Sequence, residues 1–423
     1  MGRKPLLSFI FLFSAAACFC ASLDDQVWIS SSASLVNSLP AAKGEQNYFK
    51  TTSNYIFLST SAMLTQSLGA EGLFSAGLFR YIIPYENDTE THSAINMLAA
   101  KFKYGGLTLK TGRIFYGSKN TLTPYYGLYD NYFGVNSSAL KGYYGAADLT
   151  GWLNLSAVYG NETEHYFSDG EGKVSGAVLA VRPAAGFELA PFAYKLTKDN
   201  PDYMYKTDLR LYGAYADINL NGRADLYISY AENAGAYKYY RPLFGKDRLD
   251  FTGSAWLIKF NSSSETRDMF YNLRFLYLNS SGDDINKTPF TAIHPFIDLG
   301  SIFTGANFLQ NSDASFFNRV HRAGGADRLL AYNIGASAIP KAAKFLKLDF
   351  DVYSYADTSA FLTNSSIGGE VDAGATVTPF KNLDLSVIYA RFYPGQGFKD
   401  QFMLKYVDVG TVTQLAFKAV LKF

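Results

Sequence analysis

Cysteine is nearly absent from this chain: Cys18 and Cys20 are the only two, and both fall within the first twenty residues. A mature chain cut beyond them has no thiol, which excludes a disulfide framework, a thiolate metal site and a catalytic cysteine. Histidine is almost as scarce. His92, His165, His294 and His321 are scattered without metal-ligand spacing and read as loop or rim residues. Long apolar runs are missing beyond the N-terminus, so no segment reaches the roughly 18 residues that a spanning helix needs. If the chain crosses a membrane, it does so with strands. An excess of one charge is missing too: the formal net charge is +1, and no global field recruits nucleic acid. There is no nucleophile elbow and no pairing of the lone histidines visible in sequence, so neither an enzyme nor a cofactor is expected.

Aromatic residues, by contrast, are abundant. With 32 Tyr and 34 Phe the aromatic share reaches 16%, which suits the interfacial girdles of a membrane barrel better than an average soluble core. At the N-terminus Arg3 and Lys4 precede an apolar run, Pro5 to Phe13, and then the small residues Ser14 to Ala17. Residues 1–22 read as a secretory signal peptide cleaved near Ala21 or Ser22. Lipoprotein processing at Cys18 is the weaker alternative, because no large aliphatic residue precedes the small ones. Without Arg3 and Lys4 the chain has 36 basic and 37 acidic side chains, a net charge of −1. Any charge selectivity then depends on where individual charges point.

The recurrent pattern is a period of two. In Thr411 to Phe423, Leu415, Phe417, Ala419, Leu421 and the terminal Phe423 alternate with Gln414, Ala416, Lys418, Val420 and Lys422. A strand ending on an aromatic residue resembles the C-terminal signal by which outer-membrane barrels reach their insertion machinery, here carried by Leu415, Phe417, Leu421 and Phe423. Phe345 to Tyr355 sets Leu346, Leu348, Phe350 and Val352 opposite Lys347, Asp349, Asp351 and Tyr353. Leu209 and Leu211 stand opposite Asp208 and Arg210, and Asn219 to Gly222 make a tight turn before the next run at Ala224. Fifteen further segments, 289–300 among them, bring the total to nineteen. Bacterial single-chain barrels have an even number, so eighteen strands are expected, with sixteen as the neighbouring count. Short turns alternate with longer connections such as 116–137, 301–327 and 394–410, and no composition break marks a second domain. The expectation is an all-β, antiparallel transmembrane barrel over residues 23–423 in the bacterial outer membrane. A secreted soluble sandwich is the rival fold.

Charges are costly against lipid, so ionisable residues opposite the apolar stripe should line the lumen. Arg210, Asp225, Arg274, Lys347, Asp349, Asp351, Glu370, Asp372, Lys418 and Lys422 are the candidates, either hydrating a wide interior or forming a charge-selective constriction. Gly117 to Val135, rich in tyrosine, is read either as a constriction loop or as an external loop. The acidic stretches 168–172 and 279–284 lack the twelve-residue calcium-loop pattern, and no metal site is expected.

Gly368 to Asp400 reads GGEVDAGATVTPFKNLDLSVIYARFYPGQGFKD, and Tyr332 to Tyr355 reads YNIGASAIPKAAKFLKLDFDVYSY. Both stretches resemble the closing hairpins of the alginate export family of outer-membrane porins, with TGRIFYG at Thr111 and YDNYFG at Tyr129 as weaker echoes. The resemblance covers the last quarter to third of the chain. It implies an eighteen-stranded barrel passing anionic polysaccharide or related acidic sugars, and it adds Arg113 and Arg391 to Glu370 and Asp372 as lumen or rim positions. The near-neutral charge of the mature chain stands against alginate itself. The expected function is a porin giving passive passage to hydrophilic solutes, with outer-membrane lipid, the barrel-assembly machinery and the solute as partners. The alternatives are a plugged barrel acting as an adhesin or structural binding protein and, below it, a barrel hydrolase.

Overall fold

The computed structural model describes residues 22–37, 41–42, 48–83, 86–130, 132, 135–164, 172–200, 205–243, 246–282, 288–293, 297–305, 328–359, 365–401, 407–408 and 410–423. The expected signal peptide, with both cysteines, lies outside the described residues apart from Ser22. So do His165, His294, His321, residues 168–171 of the first acidic stretch and residues 283–284 of the second.

Eighteen strands form the wall: β1 Ser22–Asn37, β2 Tyr48–Met63, β3 Leu68–Ile83, β4 Glu86–Tyr104, β5 Leu107–Ile114, β6 Val135–Thr150, β7 Leu153–Glu164, β8 Lys173–Ala184 and β9 Phe187–Asn200. The second half comprises β10 Tyr205–Leu220, β11 Ala224–Leu243, β12 Ser254–Glu265, β13 Met269–Ser280, β14 Leu329–Pro340, β15 Leu346–Asp357, β16 Ser366–Phe380, β17 Leu383–Pro394 and β18 Val412–Lys422. Each pairs antiparallel with its neighbour in sequence, and β18 closes on β1 from Trp28↔Lys422 to Asn37↔Thr413. The Phe423 amide completes the seam by donating to the Val27 carbonyl at 2.8 Å. Closure matters because an open sheet edge cannot be satisfied in hydrocarbon. Two short strands, Leu128–Asp130 and Lys246–Asp250, extend the same sheet by pairing with β6 and β11.

Of the nineteen expected segments, 289–300 is the one that is not a strand. Its described residues form an irregular segment that leads into a short helix, α1, Ser301–Gly305. Pro289 and Pro295 each remove an amide donor from this run, and its apolar residues find burial without a sheet: Phe290, Ile293, Ile297 and Leu299 are all buried.

The outer surface explains the alternation. Ile56, Leu78, Leu98, Leu273, Ile334, Phe350 and Phe417 point outward as exposed apolar side chains, a belt that only lipid can cover. At the end where the short turns lie, Tyr104, Trp152, Phe345, Phe380 and Phe423 are exposed beside the turns and form an aromatic girdle. Leu415, Phe417 and Leu421 share the outer face of β18 with Phe423 just beyond it, opposite Leu35, Ala33 and Ile29 of β1. The β10–β11 turn is tight because Asn221 and Gly222 both adopt left-handed φ, 57° and 67°, and the Gly222 amide donates to Asn219 Oδ1.

Leu273 sits four residues above its turn, near mid-belt. Leu273→Arg is expected to destabilise the barrel by about 2–4 kcal/mol in denaturant titrations in lipid vesicles, the cost of a charge facing hydrocarbon. The same exchange at Asn272, whose cross-strand partner Ser337 faces the lumen, should cost far less.

Candidate functional site

Two segments between strands fold into the barrel and cross its lumen. The first, residues 115–130 and 132, lies between β5 and β6 but reaches far around the wall. Tyr116 OH meets Tyr194 OH of β9 at 2.7 Å, and Tyr126 OH donates to Glu162 Oε1 of β7 at 2.6 Å. On the other side, Asp130 receives the Lys418 ammonium of β18 at 2.9 Å and the Ser30 hydroxyl of β1 at 3.2 Å, while Tyr132 lies beside Ser386 of β17. Burial pushes the Tyr116 phenol up to about 12, so this contact stays neutral. Of the two readings of Gly117 to Val135, the inward one describes this geometry.

The second segment comprises residues 288–293 and 297–305 between β13 and β14. Asn233 of β11 grips its start, accepting from the Thr291 amide at 2.6 Å and donating to the Thr291 carbonyl at 2.8 Å. At its far end the amides of Ile302 and Phe303 donate to the two carboxylate oxygens of Glu370 at 2.6 and 2.9 Å, and the Ser301 amide to Asp372 Oδ2 at 2.8 Å. Ser301 Oγ bonds Gln414 Oε1 at 2.7 Å, and Tyr355 OH donates to the Leu299 carbonyl at 2.5 Å. Gly300, with φ 103°, sits against Tyr355 OH and Glu370, where a Cβ would lie 2.7 and 2.9 Å from them. Glu370 and Asp372 thus face inward, yet both are buried, and their carboxylates anchor a segment of the chain.

The two segments meet each other: the Asp298 amide donates to Asn120 Oδ1 at 2.7 Å. Around this junction Lys119 faces Asp298, Asp130 and Lys418, so two cations and two anions gather at the waist. Burial lowers the Lys119 ammonium from its ordinary value, with Asp298 and Asp130 opposing the shift. Beside them on the wall, Arg274 of β13 donates to Asp351 Oδ2 at 2.7 Å, contacts Asp349 Oδ1 at 3.4 Å and bonds Ser337. Lys347 joins the same Asp349 oxygen at 2.9 Å. Gly335 leaves room for this array, since a Cβ there would come within 1.9 Å of Asp351 Oδ1. Farther around the inner wall stand the pairs Arg182–Glu188 at 2.6 Å and Lys110–Glu71 at 2.5 Å, and Lys259 lies 4.1 Å over the Tyr227 ring.

Arg274, Lys347, Asp349, Asp351, Glu370, Asp372 and Lys418 therefore lie on the inner face. Three expected lumen residues do not. Arg210 is on the outer face of β10, where its neighbours Leu209 and Leu211 point inward and are fully buried. Arg113 pairs across strands with Leu98 and Lys141, both on the outer wall, and donates to the Asn96 carbonyl and to Thr163. Arg391 points outward at the rim, 5.0 Å over the Tyr393 ring, while its neighbour Phe392 is buried inside. One physical cause covers Arg210 and Arg391: the inward segments bring apolar side chains into the upper lumen, so there the apolar stripe of a strand faces inward. Arg113 follows the plain alternation of β5, sharing the outer face with the exposed Leu107 and Leu109 while Ile114 is buried inside. Lys119, Asn120, Asp130, Asp298 and Ser301 were missed by strand periodicity because none of them belongs to a wall strand.

No family model matches the chain, and no curated protein matches it. Among solved structures it is similar in fold to Pseudomonas aeruginosa OccK7 (OpdD), with a TM-score of 0.57, 12% identity and coverage of 94% of this chain and 99% of that one. It is likewise similar to OpdQ of the same organism, with a TM-score of 0.56, 12% identity and coverage of 95% and 99%. A third is OccK2 (OpdF), solved in complex with glucuronate, with a TM-score of 0.54, 11% identity and coverage of 95% and 98%. What is shared with these Pseudomonas aeruginosa proteins is the fold, a large closed antiparallel β-barrel. The alginate export resemblance has no matching family model behind it.

Glu370→Ala would leave the Ile302 and Phe303 amides without acceptors, at roughly 1–3 kcal/mol for each buried group. The expected result is a barrel that still folds, as judged by heat-modifiable gel migration, but is cleaved by protease within 288–305 where the parent chain resists.

Proposed function

We propose that this barrel is a passive channel for small hydrophilic solutes across the outer membrane, performing no covalent chemistry. The observation that carries the reading is the waist: a closed, lipid-girdled wall whose lumen is narrowed from within by two segments that meet at Asp298 and Asn120. Diffusion through such a passage is set by its width and by the field at its narrowest point.

The field at the waist is balanced. Arg274 and Lys347 stand against Asp349 and Asp351, and Lys119 and Lys418 against Asp130 and Asp298. A set of paired charges orients and hydrates a solute without strongly choosing its sign. An acidic sugar monomer is therefore one permitted solute among others. Two segments lying across the lumen also disfavour a polysaccharide, which sets alginate export behind small-solute uptake. A second reading, a filled barrel serving surface contact, draws on the continuous apolar cluster that Leu122, Tyr126, Phe290, Ile293, Ile302 and Phe303 build inside the wall.

Planar-bilayer recording of the refolded mature protein under a salt gradient separates the two. Steady single-channel conductance with a reversal potential near zero supports the channel; a correctly folded barrel that never conducts supports the filled one. Within the channel reading the sign can be steered. Arg274→Gln exposes Asp349 and Asp351 and should move the reversal potential toward cation preference, and Asp351→Asn should move it the opposite way.

A further inference from the structure

The outer wall is unevenly charged. On β12 to β18 the described outward-facing side chains include one charge, Arg391, whereas the outer faces of β5 to β10 carry six basic residues, Arg113, Lys141, Lys173, Lys195, Lys206 and Arg210, against two acids, Asp199 and Asp208. Cross-strand register places them side by side: Arg113 pairs with Lys141, the row continues through Asn161 to Lys173, and Lys195 pairs with Arg210 in the adjacent row. Two acids stand among them: Asp208, shared by Lys195 at 3.4 Å and Arg210 at 3.8 Å, and Asp199, the cross-strand neighbour of Lys206. For Lys141 and Lys173 the described residues include no ion-pair partner. The side chains are available from outside, with Arg210 59% and Lys195 43% exposed.

Their height is defined by the strand. Arg210 stands ten residues above Leu220 at the periplasmic turn, roughly 25 Å at about 3.3 Å per residue and a tilt near 40°, which is the top of the apolar belt. Just below the cluster on the same outer faces lie Tyr143, Tyr159 and Tyr212, exposed aromatic rings of the kind that mark the membrane interface. By the same spacing Lys141, nine residues above Thr150, and Lys173, eleven above Ala184, sit with Arg210 at headgroup level of the outer leaflet, while Arg113, six residues above Leu107, lies lower in the belt.

We propose that this cluster is a binding site for a phosphate-bearing glycolipid of the outer leaflet. Fixed cations at that level match phosphates in charge, and the tyrosine row and aliphatic belt beneath offer a surface for the acyl chains. A second copy of this chain fits less well, because the opposite outer wall offers no acidic patch to complement the cations.

The test uses the folded mature barrel in detergent and native mass spectrometry with two probes: bis-phosphorylated lipid A and the same lipid with both phosphates removed. The variants are Lys141→Gln/Lys173→Gln/Arg210→Gln and, as a control on the other side of the wall, Arg391→Gln, each checked for heat-modifiable migration. The parent chain should retain the phosphorylated lipid in preference to the stripped one, and the triple variant should retain it about tenfold less or weaker, with Arg391→Gln unchanged. If the triple variant does not fold, Lys173→Gln alone and loss of retention with added salt carry the same decision. Equal retention of the stripped lipid, or full retention by the substituted barrel, overturns the proposal. Loss of a protein dimer in the triple variant, with lipid retention intact, overturns it in favour of self-association.

Discussion

The structure depends on satisfying every backbone amide and carbonyl of the wall without water. In hydrocarbon that requirement admits only helices and closed sheets, and beyond the N-terminus this chain has no run apolar enough for the first. The pairing of β18 with β1 is what turns eighteen strands into a wall without an edge, and the terminal Phe423 takes part in it through its own amide. Once the wall is closed, the period of two sorts side chains into lipid-facing and lumen-facing sets. Everything functional is then a matter of what fills the inner set.

The interior is not a plain water-filled tube lined by strands. Residues 115–130 and 132 and residues 288–293 and 297–305 bring their own apolar and hydrogen-bonding groups inside, and the wall answers with fixed partners: Tyr194, Glu162 and Lys418 for the first, Asn233, Glu370, Asp372 and Gln414 for the second. Buried carboxylates are expensive unless they accept hydrogen bonds, and Glu370 accepts two amides of α1. The same residues thus serve as anchors, not as part of a selective lining. The ions left to face the passage are matched in sign, which links the packing of the two segments to the weak charge preference proposed for the channel.

Much of the fold was legible because lipid imposes a simple rule. Phe345 to Tyr355 alternates cleanly, and Leu348, Phe350 and Val352 do face outward with Lys347, Asp349 and Asp351 inward. The rule fails where its premise fails. Leu209 and Leu211 obey the same alternation but are buried against material inside the barrel, so Arg210 turns to the outside. Segment 289–300 has the apolar content of a strand, yet its prolines and its place inside the lumen make it irregular. The waist itself was out of reach, since Lys119, Asn120, Asp130 and Asp298 come together through the tertiary folding of two inner segments and not through strand register.

The central claim is a lumen that is open to small solutes but narrowed by its own chain. Osmotic swelling of proteoliposomes carrying the refolded barrel, measured with neutral sugars of increasing size, tests it most directly. Rapid swelling with monosaccharides that falls off sharply for larger oligosaccharides is the result predicted. No swelling with any sugar, or rates that do not fall with size, would contradict it.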